Sequence, residues 1–179
     1  MFLNNSKAKI KTRIKKANAL FDNFKREESL QEFLKLQREF PENTDVLFAL
    51  GVIQNSTKQQ VLAIETFKGI LKINGNHEDT LLILPVVIYE YAIRLKENGD
   101  KELARQYFLD FVGFDNGNKM DLANGYKELA LVEEFFGNKN EAIKYIRKAL
   151  DIVSNLEESE YAKSYKEYYE EIDERLNSR

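Results

Sequence analysis

Cysteine is absent, which excludes disulfides and thiolate chemistry and is neutral about compartment. Two prolines and eight glycines leave too little turn material for a many-stranded β fold. The single histidine, His77, has no second His or Cys at ligand spacing, so it reads as a solvated loop residue beside Glu78 and Asp79 rather than a metal ligand. Gly-rich phosphate loops, nucleophile elbows and His-based zinc motifs are missing. The adjacent acids Glu133–Glu134 and Glu170–Glu171 project in different directions from a helix, which fits solvated faces and gives no general acid/base pair. An enzyme is therefore not expected, nor a metal or cofactor. No membrane contact is expected either. The longest apolar run, Leu81 to Tyr89, falls far short of the roughly 20 residues a membrane helix needs, and the first residues lack the apolar core of a signal peptide. The simplest expectation is a soluble, cytoplasmic protein. A net charge of −3 argues against the whole molecule being drawn to nucleic acid.

What remains is helical material. The chain is 43% hydrophobic and 32% charged, rich in Lys, Glu, Leu and Ile, and its 179 residues fit one domain with a substantial core. Ala63, Ala104 and Ala142 each stand four residues before a bulky apolar residue: Phe67, Phe108 and Ile146. Ser29 stands before Phe33 in the same way, and the step from Ser29 to Ala63 is 34. A fixed step of this size marks stacked helix–turn–helix repeats. The second repeat is the clearest, with Leu47, Leu50 and Gly51 on its first helix and Ala63, Phe67 and Ile70 on its second. Gly51 and Ala63 remove side chains where two helices must approach, although Gly costs about 0.8–1 kcal/mol against Ala inside a helix. Phe67 fills the space between neighbours.

This pattern resembles the tetratricopeptide repeat family, in which a large residue and a Leu-Gly pair precede a downstream Ala and aromatic. The resemblance implies an all-α fold: a right-handed superhelical array of antiparallel helix pairs, a solenoid closed by a C-terminal capping helix. The expected repeats are about 10–43, 44–77, 78–118 and 119–156, with the cap at 157–177, all within a single domain 1–179. The third repeat offers Ile88, Tyr91 and Ala92, the stop-and-restart Asn98-Gly99-Asp100, then Ala104, Phe108 and Phe111. The fourth offers Tyr126, Leu129 and Ala130, a turn at Gly137-Asn138, then Ala142, Ile146 and Ala149. Steps of 41 and 38 between the alanines place extra residues before the third repeat and around Gly113 to Asp121. In the first helix, strict counting would bury Arg13 and Lys16; a one-residue slide buries Ile14, Ala17, Phe21 and Phe24 instead, and that register is preferred. In the closing helix, Tyr161, Tyr165, Tyr168, Ile172 and Leu176 form the expected core-facing stripe.

Arrays of this kind present a concave surface to a partner. In the family, the groove is lined by the second, fifth, ninth and twelfth positions of each first helix. Carried onto this chain, those positions give Phe48, Val52 and Asn55; Val86, Tyr89, Ile93 and Lys96; and Asn124, Lys127, Leu131 and Glu134, with Phe135 beside them. Lys15 and Asn18 are their counterparts in the first repeat. The centre of this surface is apolar and aromatic, which implies a protein or peptide partner, in the manner of chaperone-like adaptors such as bacterial secretion chaperones. One subgroup grips carboxylates of heat-shock chaperones, but its positions in the second and third repeats here hold Ala49, Val86 and Glu90, and only Asn18 and neighbouring lysines in the first repeat match, so that clamp is not expected. Two other readings stand. Lys7, Lys9, Lys11, Arg13, Lys15 and Lys16 precede the first acid, Asp22, and suit phosphates or an acidic peptide, but with no aromatic platform for bases among them they are read first as solubilising the first helix; nucleic acid is the disfavoured partner. A homodimer filling its own groove is the third.

Overall fold

The structure, a computed structural model, describes the backbone of residues 2–114, 118–156 and 159–178 and the side chains from residue 8 onward within these. Every regular element among them is a helix: α1 (Phe2–Asp22), α2 (Arg26–Glu39), α3 (Thr44–Ser56), α4 (Gln60–Ile73), α5 (Glu78–Glu97), α6 (Lys101–Val112), α7 (Lys119–Phe135), α8 (Lys139–Ser154) and α9 (Glu160–Ser178). The helices form two compact units, residues 1–87 and 88–179, with the boundary inside α5. The expected start of the cap at 157–158 and the side chain of Lys7 lie outside the described residues.

The small-then-bulky pairs are the buried centre of each helix pair. Ser29 and Phe33, Ala63 and Phe67, Ala104 and Phe108, and Ala142 and Ile146 are all 0% exposed. Serine at the first of these positions carries a hydroxyl into the core, and it is satisfied by donating to the Ala17 carbonyl of α1 at 2.7 Å. Gly51 plays the expected part, since a Cβ there would lie 2.7 Å from the Phe67 ring. Gly125 does the same in the second unit, where a Cβ would lie 2.6 Å from Phe111.

One left-handed residue closes the first helix of each pair: Phe24 (φ 61), Lys58 (φ 64), Gly99 (φ 89) and Gly137 (φ 76). The next residue then donates its N–H to the carbonyl five positions back: Lys25 to Leu20 at 2.9 Å, Gln59 to Gln54 at 2.8 Å, Asp100 to Leu95 at 2.9 Å and Asn138 to Glu133 at 2.9 Å. These are Schellman turns, which satisfy carbonyls that a helix end leaves orphaned. Each left-handed residue precedes the small buried residue by five positions, so the hairpin geometry repeats even where the sequence step does not. The irregularity lies in the first helices. α5 has 20 residues and α7 has 17, against 13 in α3, and these surpluses match the excess of the 41 and 38 steps over 34.

At two places the structure corrects the sequence pattern. α1 takes the slid register, with Ala17 buried and Ile14 and Phe21 packed beside the first core cluster. Phe24, however, is 86% exposed, because α1 ends at Asp22 and Phe24 is spent on the left-handed turn. On α9 the buried residues are Ala162, Tyr169, Ile172 and Leu176, while Tyr161 and Tyr168 are exposed. Tyr168 and Tyr169 are adjacent, and the face rotates to bury the second of them.

Lys58 occupies a backbone region that disfavours a β-carbon by about 1–2 kcal/mol, whereas its counterparts Gly99 and Gly137 do not bear this strain. Lys58→Gly is expected to raise stability by about 0.5–1 kcal/mol once the entropy of glycine is set against the relieved strain. A denaturation midpoint that does not move upward would show that the Lys58 turn is unstrained.

Candidate functional site

In the first unit, α3 holds Phe48, Val52 and Asn55 half-buried along one face. The Phe48 ring centre is 5.8 Å from that of Phe67 and 5.6 Å from that of His77. His77 is therefore not a freely solvated loop residue. Its Nδ1 lies 3.0 Å from the Thr80 hydroxyl and 3.4 Å from the Thr80 N–H it accepts, so it serves the open N-terminal end of α5 while its ring covers Phe48. Further along α5, Leu82 is 67% exposed and Val86, one turn on, is 45% exposed. Val86 was expected on this face; Leu82 was not, because the first-helix positions carried from the family begin after it.

Lys15 and Asn18 are exposed on α1. The basic stretch around them is partly neutralised from α2. Arg13 makes a two-pronged ion pair with Glu39, at 2.5 and 2.8 Å, which holds the Glu39 carboxyl below its usual range. Glu32 is also held down, first by its hydrogen bond from Lys35 and more weakly by Lys16 and Arg13.

In the second unit, Tyr89, Ile93 and Lys96 of α5 and Lys127 and Leu131 of α7 are all half-buried. Tyr89 packs its ring 5.0 Å from Phe111 and 5.9 Å from Phe108. Between the helices sits Glu128, 4% exposed, whose carboxylate accepts from Lys96 at 2.5 Å and also from Lys127. Tyr169 of α9 donates its hydroxyl to the Asn124 side chain at 2.9 Å, and Arg175 pairs with Glu134. Phe135 is 61% exposed at the end of α7, with the Lys101 ammonium 3.3 Å from its ring centre.

Neither Glu133 nor Glu134 is the solvated residue that the sequence suggested. Glu133 is fully buried, accepting from Arg105 at 2.5 Å and from Asn138 at 2.7 Å. The sequence shows nothing of these pairs, because each partner lies on another helix or in the next turn. Among the described residues, no group of three or more His, Cys, Asp or Glu side chains could hold a metal ion, and no helix is long and apolar enough to cross a membrane. What these faces offer chemically is non-covalent: apolar contact, phenol hydroxyls and ammonium groups.

Residues 124–153, from Asn124 in α7 to Val153 in α8, match the family model of the tetratricopeptide repeat. The fold is a tetratricopeptide-like helical array. Solved structures of MamA share this fold. One is 14% identical, over 94% of this chain and 86% of that one, with a TM-score of 0.53. Another, MamA AMB-1, is 13% identical over 96% and 86%, with a TM-score of 0.51. A third is 18% identical over 84% and 82%, with a TM-score of 0.50. At such identities the likeness is one of fold. No curated protein sequence matches the chain. Tetratricopeptide arrays serve as scaffolds for protein–protein interaction, and this architecture suits that class.

The tyrosines of the second unit give the fold an alkaline limit. Burial, then Glu128, Asp121 and Tyr165, pushes the Tyr89 phenol up to about 12, and burial raises Tyr169 as well. A phenol whose folded pKa exceeds its unfolded value near 10 keeps its stabilising contribution below that value and loses it as pH rises toward 12. Stability is therefore expected to fall between about pH 10 and 12, and Tyr89→Phe should soften that fall. Denaturation curves across this range that coincide for wild type and Tyr89→Phe would show Tyr89 to be uninvolved.

Proposed function

We propose that this protein is a non-enzymatic adaptor that takes an apolar segment of a partner protein, helical or extended, against its first-helix faces. The observation that carries the reading is the exposure of Leu82 and Val86 at i and i+4 on α5. Two large aliphatic side chains one turn apart on a helix face are the kind of surface that protein partners cover. Phe48 and Val52 in the first unit, and Tyr89, Ile93 and Leu131 in the second, supply further apolar contact under this reading. Asn55, Lys127 and Phe135 stand at its margins, with Lys15 and Asn18 toward acidic flanks of the segment. A chaperone-like role in the cytoplasm fits a surface of this composition.

The nucleic-acid alternative rests on the lysines of α1. The Arg13–Glu39 pair argues against it, because an acid of α2 already partners one of those cations. The self-association alternative places a second copy against the same faces.

An aromatic or aliphatic anchor at the centre of an interface contributes about 2 kcal/mol or more, so its loss weakens binding about thirtyfold. Val86→Asp is expected to abolish capture of the partner in a pull-down while leaving helicity and melting temperature unchanged. Lys15→Glu is expected to have a smaller effect that grows at low salt. A dominant Lys15 effect would sink the adaptor reading in favour of nucleic acid.

We also take the two compact units as one domain, because the helix that contains their boundary, α5, is continuous over 20 residues. Calorimetry is expected to show a single unfolding transition; two separate transitions would divide the domain.

A further inference from the structure

We propose that Lys96 and Lys127, held on the buried carboxylate of Glu128, form an anion-accepting site that takes a carboxylate group of the bound segment. The inference rests on the adaptor reading for the second unit and names the chemistry it recognises there. Its basis is a local excess of charge. The Glu128 side chain is 5% exposed, that of Lys127 14% and that of Lys96 26%. Two ammonium groups therefore share one carboxylate in a largely covered position, so this three-residue cluster carries a formal excess of one positive charge. A charge in such surroundings is costly unless it is paired.

Donors remain for the pairing. Each ammonium has three N–H donors, and one from each is spent on Glu128. The remaining donors are positioned by an acid that is itself fixed, so an incoming carboxylate meets a partly pre-formed set of donors. The Tyr89 phenol, pushed up by burial and then by Glu128 and Asp121, stays protonated at neutral pH and remains a donor. Asp121 precedes Glu128 by seven residues on α7, about 10 Å along the helix and on the same face. Its charge is of opposite sign, so the face has a direction: an acidic group is favoured beside the lysines and disfavoured at the Asp121 end. These are not the carboxylate-gripping positions of the chaperone-binding subgroup, which hold Ala49, Val86 and Glu90 here.

The test needs no natural partner. Acetyl-aspartate amide is titrated into the full-length protein and followed by amide NMR shifts, with acetyl-asparagine amide as the uncharged control. The expected result is a saturable shift at Lys96, Lys127 and their neighbours with the charged compound alone. Lys127→Gln should weaken that binding about tenfold, and Glu128→Gln should strengthen it, because the internal carboxylate no longer competes for the donors. Should Glu128→Gln fail to fold, Lys96→Gln carries the comparison, with the same weakening as Lys127→Gln. Equal shifts from both compounds, or lysine variants that bind as wild type does, would overturn the site. Capture of an apolar partner is read separately through Val86→Asp, so the adaptor reading and the anion site can fail independently.

Discussion

Within each helix pair, two backbones approach closely enough that only hydrogen, methyl or hydroxymethyl side chains fit at the crossing. Ser29, Ala63, Ala104 and Ala142 occupy that position with no exposure at all, and one turn later a Phe or Ile fills the widening space. Close-packed interiors tolerate neither a larger group nor a void at such a point. Each left-handed turn must then stand five residues before the crossing, because the second helix has to begin at a fixed distance from the contact. The first helix is under no such limit at its opposite end, which is where the additional residues of α5 and α7 accumulate. A constant crossing with a variable first helix explains why the sequence step drifts while the fold does not.

Polar groups that this crossing forces inside are satisfied by specific partners. Ser29 donates to Ala17, Gln54 accepts from Thr66 at 2.8 Å, and Glu133 is held by Arg105 and Asn138. Among the described residues, no buried side-chain nitrogen or oxygen lacks a hydrogen-bond partner. A buried group left unpaired would cost about 1–3 kcal/mol, so each of these contacts penalises a helix that slides or rotates. Asn138 illustrates the trade: its side chain serves Glu133 and makes no cap hydrogen bond to the N-terminus of α8.

The repeats were legible because small-then-bulky spacing is a local pattern, set by helix geometry within a single turn. Gly51 with Phe67, the turns at Gly99 and Gly137, and the slid register of α1 all belong to that class. Gly125 escaped because the Leu129-Ala130 pair drew the pattern one turn later. Tyr168 and Tyr169 could not be told apart, since neighbouring aromatics lie 100° apart on a helix and a tilt decides which is covered. Phe24 and Lys58 were illegible as turn residues, because bulky or charged side chains rarely adopt positive φ. The buried acids Glu128 and Glu133 were the deepest miss. Their burial depends on cations 32 and 28 residues away, and no local signal announces a pairing of that range.

The first-helix faces of the two units differ in kind. In the first unit α5 exposes the aliphatic residues Leu81, Leu82 and Val86, and contact with them would gain mainly from excluding water, a force without direction. In the second, the half-buried Lys96 and Lys127 hold the buried Glu128 in a three-charge cluster whose hydrogen bonds have fixed geometry. Apolar area supplies affinity but discriminates poorly among segments of similar size, whereas a pre-positioned charge rejects any segment that would leave it unpaired or meet it with like sign. Under the proposed reading, the aliphatic face would contribute affinity and the lysine face discrimination. Selectivity would then reside in the unit that is less apolar, and substitutions there would change which partner is accepted more than how tightly any apolar segment adheres.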